Sequence, residues 1–122
     1  MTEYAVSIVR RYSFEAAHQL AWHAGKCRVL HGHSYVLEVE VAGQLDSRGV
    51  VMDFGELDDP VATLVLSRLD HTYLNDVCDN PTAECVACMI GGWLDEGGVA
   101  WSTLRLWETS RGSVVVYRPD RQ

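Results

Sequence analysis

The stretch from His31 to Val41, HGHSYVLEVEV, constrains the fold more than any other part of this chain. Its residues alternate, and in a strand residues two apart share a face. Tyr35, Leu37, Val39 and Val41 form an apolar row, while Ser34, Val36, Glu38 and Glu40 form the opposite one. The apolar row is the one to bury, so His31 and His33 stand at the end of the core-facing row. Gly32 between them has no side chain and lets another group approach closely. Two parallel imidazoles in such a place need partners. Hydrogen bonds within a core supply them as readily as a metal ion does.

The rest of the chain supplies the layers around this strand. Residues 3–11 alternate weakly and read as a first strand. After the turn AGQLDSRG, Leu57, Val61, Leu64, Val65 and Leu69 fall on one helical face. Pro60 is expected in the first turn of that helix, because further in it would kink it. A second helix is expected to start at NPT, with Asn80 as cap and Pro81 at the first helical position, and to stop at Gly97-Gly98. Strands at 101–109 and 113–118 follow, joined by the SRG turn. The order predicts one α+β domain over residues 1–122: a four-stranded antiparallel sheet with two helices on one face. The edges of such a sheet need cover, which predicts a homo-oligomer.

Charge and composition narrow the partners. The chain has 122 residues, a formal net charge of -7 and a pI near 5.0. An acidic chain argues against a nucleic-acid surface, although a few arginines around one pocket suffice for a phosphorylated small molecule. No window approaches the ~20 apolar residues of a membrane span. The first eighteen residues lack a basic region followed by an apolar run, which predicts a cytoplasmic chain without a secretory leader. In that compartment the four cysteines are not expected to pair. Cys85 and Cys88 form a C-x-x-C, but Val86, Met89, Ile90, Trp93 and Leu94 around them recur at helical spacing. Both are therefore expected to pack as small hydrophobes.

Other residues carry chemistry toward the two histidines. His18, in FEAAHQL, returns beside His31 if the first two strands pair. Three neutral imidazoles with a vacant corner describe a catalytic zinc site, and Cys27 as a fourth ligand would instead describe a structural one. His23 is a spare imidazole in a loop expected to be exposed. Cys27 lies between Lys26 and Arg28, whose charges favour thiolate. A thiolate that does not ligate the metal is a good base or nucleophile. Asp70-His71 ends the first helix and reads either as a relay or as an ordinary helix-terminal histidine. Glu108 extends the apolar row of Leu104 and Leu106. A buried carboxylate needs a partner, so Glu108 is either a wet strand end or a bidentate acceptor for a guanidine-like ring edge.

Taken together, FEAAHQL, CRVLHGHSY, GVVMDF, RLDHTYLND, NPTAE and WETSRG resemble, in order and over essentially the whole chain, the 6-pyruvoyltetrahydropterin synthase superfamily. The C-x-x-x-H-G-H spacing resembles its bacterial branch, 6-carboxytetrahydropterin synthase. Branches with Glu in place of this cysteine do different chemistry. The resemblance implies a tunnelling fold, in which subunits assemble into a barrel, typically a hexamer (a dimer of trimers), with active sites between subunits. It implies zinc on His18, His31 and His33, Cys27 as general base, and Asp70 and His71 as its relay. Glu108, with Thr109 beside it, would anchor a pterin ring. Thr82 and Glu84 would line a neighbouring subunit's pocket. Lys26, Arg28 and one or more of Arg10, Arg11 and Arg111 are candidates for a triphosphate. The implied reaction converts 7,8-dihydroneopterin triphosphate to 6-carboxytetrahydropterin, acetaldehyde and triphosphate, towards 7-deazapurines of the queuosine type. Two rivals remain: triphosphate elimination that keeps the side chain, and a zinc-stabilised pterin-binding module without turnover.

Overall fold

A computed structural model describes residues 4–119; residues 1–3 and 120–122, including the first residue of the predicted strand 3–11 and the outermost residues of the 1–122 domain, lie outside the described residues. Two long strands dominate, β1 (Val6–His18) and β2 (His31–Gly43). They pair antiparallel in unbroken register from Val6 opposite Gly43 to His18 opposite His31. The first strand is thus longer than its weak alternation predicts, and His18 is its last residue. Tyr35, Leu37, Val39 and Val41 are buried and Ser34 is exposed, as the alternation of β2 requires.

The chain then forms α1 (Phe54–Val61), capped by Asp53. The Asp53 carboxylate accepts from the Gly55 N–H at 3.0 Å, and Glu56 accepts from the Asp53 N–H at 3.3 Å, so the start of α1 is closed from both sides. Pro60 lies near the end of α1 rather than in its first turn. The helix continues through a π-helical segment (Ala62–Leu66) and a last helical turn (Ser67–Leu69). Pro60 lacks an N–H, and a widened turn after it lets the chain continue without a break. Leu57, Val61, Val65 and Leu69 are buried along this run, whereas Leu64 is half-buried.

A two-residue strand, β3 (Thr72–Tyr73), follows and pairs parallel with Ala16 and Ala17 of β1. After it come α2 (Ala83–Glu96), β4 (Thr103–Thr109) and β5 (Gly112–Tyr117). Among the described residues the sheet has five strands in the order β3-β1-β2-β4-β5. The expected sheet of four antiparallel strands is therefore corrected to a mixed one. The fifth strand escaped notice because two residues are too short to show a period. Both helices cover one face, where Phe14, Tyr35, Leu37, Val39, Leu104 and Leu106 meet Leu57, Val61, Val86, Ile90 and Leu94. The other face carries Arg11, Glu38 and Arg105, with Arg11 and Glu38 2.7 Å apart. No helix among the described residues is long and apolar enough to cross a membrane.

Two expectations for α2 change. Thr82, not Asn80, is the cap: its backbone is extended and its hydroxyl accepts from the Cys85 N–H at 3.1 Å. Pro81 therefore stays outside the helix and keeps its carbonyl free for another donor. Cys85 and Cys88 are exposed rather than packed, because the buried stripe runs through Val86, Ala87, Ile90, Gly91 and Leu94. Gly91 is needed in that stripe: a Cβ there would stand 2.9 Å from the Trp101 ring.

Candidate metal centre

The register of the first hairpin builds the site. His18 and His31 are direct cross-strand partners, and Ala16 faces His33. The small Ala16 leaves the His18 ring room to reach both other imidazoles, with ring centres 4.5 Å from His31 and 5.1 Å from His33. His31 and His33 are 4.8 Å apart. From β4 comes Glu108, which sits in a register irregularity between Trp107 and Thr109. Such bulges re-aim side chains next to functional sites. The Glu108 Oε1 lies 3.2 Å from His18 Nε2 and 3.1 Å from His33 Nε2.

Hydrogen bonds outside the cluster decide which ring nitrogens face inward. His18 Nδ1 is 2.7 Å from the Pro81 carbonyl oxygen, and His31 Nδ1 is 2.7 Å from the Val29 carbonyl oxygen. A carbonyl only accepts, so both Nδ1 atoms carry the proton. Both Nε2 atoms then present lone pairs, and these meet at 3.0 Å. Two lone pairs do not bond to each other; they need a cation or a proton between them. The His33 Nε2 is also buried and lacks a hydrogen bond of acceptable geometry, despite its nearness to Glu108. Burial, the largest influence, lowers the His33 pKa and favours its neutral, ligating form.

His18, His31, His33 and Glu108 each offer one donor atom within 4.8 Å of the others. Donors bonded at about 2.0–2.1 Å to one tetrahedral ion stand about 3.3 Å apart, close to the spacings observed. The residues therefore fit a metal ion. A proton on His18 Nε2 is the alternative to an ion, because the Glu108 carboxylate can only accept. Its hydrogen bond to His18 raises the His18 pKa and lowers its own.

The remaining predicted residues fall in different places. Cys27 is a half-buried free thiol in a short helical turn, Lys26–Arg28, and stands outside the donor cluster. Burial first, and then the Glu108 and Cys27 charges, push the Tyr35 hydroxyl up. Lys26 and Arg28 flank Cys27 and are exposed. The loop that carries them is tied down at Leu20, whose N–H donates to the Cys27 carbonyl at 2.8 Å, and at Trp22, whose Nε1 donates to Asn80 at 2.8 Å. His23, expected to be exposed, is half-buried because its Nδ1 accepts from the Gly25 N–H at 2.8 Å.

Asp70 and His71 meet each other, at 3.1 Å. Adjacent helical residues would not, but Asp70 is extended and His71 has φ of +61°. That left-handed geometry is costly for a side chain. It is held by the Glu15 backbone: the His71 N–H donates to the Glu15 carbonyl at 2.6 Å, and the Glu15 N–H donates to Asp70 at 2.9 Å. The His71 side chain is 79% exposed. It borders a depression with Glu15, Ala16, Ala17, Gly32, His33 and Ser34. Thr109 also faces that side, lining a hollow with Arg11, Ser34, Val36 and Trp107, so Glu108 and Thr109 diverge. Thr82 is occupied in capping, while Glu84 and Glu108 border one depression with Ala83, Gly112, Ser113 and Val114. Arg10 is committed to Asp58 and Arg11 to Glu38.

The sequence did not reveal the Pro81 carbonyl, the Glu15 backbone or the Tyr35 hydroxyl as parts of the site. Only Tyr35 left a signal there, as the next member of the histidine row.

The hairpin and bulged strand of this α+β domain converge three imidazoles and a carboxylate that could hold a metal ion at the end of the sheet. The family profile described as 6-pyruvoyl tetrahydropterin synthase matches residues 7–120, and the chain belongs to that family. It is 46% identical over 99 residues to a 6-carboxy-5,6,7,8-tetrahydropterin synthase of Synechocystis sp., covering 75% of this chain and 77% of that one. It is 41% identical over 104 residues to a dihydroneopterin monophosphate aldolase of Pyrococcus furiosus, covering 83% and 88%. The solved 6-pyruvoyl tetrahydropterin synthase of Caenorhabditis elegans superposes with a TM-score of 0.83 at 25% identity, over 93% of this chain and 96% of that one.

Proposed function

We propose that the chain is a zinc-dependent 6-carboxytetrahydropterin synthase, a carbon–carbon lyase. It would convert 7,8-dihydroneopterin triphosphate to 6-carboxy-5,6,7,8-tetrahydropterin with release of acetaldehyde and triphosphate. The observation that carries this reading is the pair of facing His18 and His31 Nε2 lone pairs, with the free Cys27 thiol outside the donor set. The relative from Synechocystis supports the reaction type.

His18, His31 and His33 would hold the zinc, with Glu108 at the fourth corner until substrate arrives. When bound, zinc supplies Lewis acidity that lowers the pKa of the substrate's vicinal hydroxyls. Glu108 would accept from the amino group and ring N–H of the pterin, a bidentate match for a carboxylate. The depression it shares with Ala83, Glu84 and Gly112 has room for a flat ring beside the imidazoles. Fixing the ring leaves the side chain to meet Cys27. The Cys27 thiolate would remove and return a proton at the side-chain carbons, with Lys26 and Arg28 drawing the triphosphate. His71, with Asp70 behind it, would relay protons for a neighbouring copy's Cys27, for which its 79% exposure leaves the ring accessible. A site shared in this way favours a closed oligomer, for which we adopt the hexamer, and a place in cytoplasmic 7-deazapurine synthesis follows from the product.

The test is incubation with 7,8-dihydroneopterin triphosphate, with and without a chelator, followed by mass spectrometry. Acetaldehyde and the 6-carboxy product, lost on chelation, support the reading. A product that keeps the three-carbon side chain rejects it. The Pyrococcus relative makes cleavage of dihydroneopterin monophosphate the second reading, and the same assay with the monophosphate decides between them.

A further inference from the structure

The short strand β3 covers the edge of β1 only at Ala16 and Ala17. After Tyr73 the chain leaves the sheet in a helical turn, Leu74–Asp76. Gln19, just past the end of β1, pairs with no strand on either side. The side chain of Asn75, in RLDHTYLND, supplies the missing rung. Its Oδ1 accepts from the Gln19 N–H at 2.9 Å, and its Nδ2 donates to the Gln19 carbonyl at 2.8 Å. Among side chains of that length, only an amide offers an acceptor and a donor side by side.

The next residue carries the link onward. Leu20 is buried, and its N–H donates to the Cys27 carbonyl at 2.8 Å. None of Lys26–Arg28 is buried, so packing does not place the thiol. The bonds from the Arg28 N–H to Gly25 and from the Val29 N–H to Lys26 only close the turn on itself. The bond from Leu20 reaches it from outside and lands on the cysteine. Asn75 is therefore joined to Cys27 through two consecutive residues, Gln19 and Leu20. The neighbouring His18 is held differently, by its pairing with His31 and by the Pro81 carbonyl.

We propose that Asn75 is a positioning residue: by clamping the Gln19 backbone it holds Leu20 in line with the Cys27 carbonyl and so sets where the thiol stands. This rests on the assignment of Cys27 as the base. It predicts that loss of the Asn75 amide misplaces the thiol and leaves the metal ligands undisturbed.

Asn75→Ala and Asn75→Asp in the metal-loaded full chain test it. Hydrogen exchange, read by mass spectrometry, reports on the tie. In N75A, peptides covering residues 19–30 should exchange about tenfold faster, the scale of two lost hydrogen bonds. Peptides of β2 should keep the wild-type rate, and zinc content should not change. With 7,8-dihydroneopterin triphosphate kcat should fall about tenfold to a hundredfold, the cost of misplacing a reacting group by about 1 Å. KM should move less than kcat, because the ring is still held at Glu108. In a Cys27→Ala background N75A should cost nothing further. Asn75→Asp keeps the acceptor for the Gln19 N–H and loses the donor to the carbonyl, so it should lie between N75A and the wild type. Wild-type exchange over residues 19–30, loss of zinc, an unchanged kcat or a further loss in the Cys27→Ala background would each overturn the proposal. Exchange and metal content need no turnover, so their outcome stands apart from whether the assigned reaction is right.

Discussion

Two groups of titratable residues lie at the same end of the sheet and differ in exposure. His18, His31 and His33 gather at the end of the hairpin, and the inward-facing nitrogens of His18 and His31 are set by contacts to the Pro81 and Val29 carbonyls. Asp70 and His71 are clamped to the Glu15 backbone beside the opposite row, with the His71 ring 79% exposed. The first group is complete in one chain. The second is pre-organised, down to a left-handed backbone, and its ring pairs with Asp70. In the proposed function one chain gathers the metal ligands while the acid–base pair serves a second copy.

The largest effect expected is on the imidazoles. His31→Ala removes one of the two facing lone pairs, so metal content should fall to background. Activity should drop by about a thousandfold or more, several kcal/mol of lost Lewis acidity. Metal analysis and the product assay check this, and a His31→Ala protein that keeps its metal would break the picture of a self-contained centre.

Cys27→Ala should separate the two roles. Zinc content is expected to stay at the wild-type level while activity falls by about 10²–10⁴-fold, the usual contribution of a general base. The loss of metal with the thiol would place sulfur among the ligands.

The dyad gives the sharper contrast. His71→Ala should lower activity by about 10²-fold or more with metal intact. Mixed oligomers of Cys27→Ala and His71→Ala chains should recover activity that neither parent has, since some sites then combine an intact thiol with an intact dyad. Unfolding and refolding the mixture, then assaying it, is the measurement. If mixtures are as inactive as their parents, the dyad serves its own chain.

The smallest effect is on stability. The Glu15 N–H and then the His71 contact hold the Asp70 carboxyl below its ordinary value. A depressed carboxyl pKa stabilises the fold above the unfolded value of about 3.9, and that contribution is lost as pH falls through the folded value. Asp70→Asn should therefore melt below the wild type at pH 6, and the two should converge in acid. A gap that widens in acid would contradict the clamp.

How much of this was written in the sequence depends on the kind of signal. Strict alternation from Tyr35 to Val41 identified the buried row, and with it the direction of His31 and His33. The meeting of His18 with His31 was legible only as a condition, that the first two strands pair, because the weak alternation of residues 3–11 fixed no register and stopped short of His18. The convergence of Glu108 on the imidazoles was not legible. It depends on an irregularity between β4 and β5, and bulges leave no pattern in composition. The Thr82 cap and the Pro81 carbonyl bond were hidden because Asn80 is an equally good cap by residue type. The contact between Asp70 and His71 required a positive φ at a histidine, which local sequence rules count against. Cys85 and Cys88 were misplaced because two small thiols beside a broad apolar stripe say little about which flank they occupy.

The central claim is that nitrogen, and not sulfur, holds the metal beside a free Cys27. X-ray absorption at the zinc edge of the loaded protein tests it most directly. The account predicts nitrogen and oxygen scatterers at about 2.0–2.1 Å with imidazole back-scattering; a sulfur shell at about 2.3 Å, or a protein that retains no zinc, would contradict it.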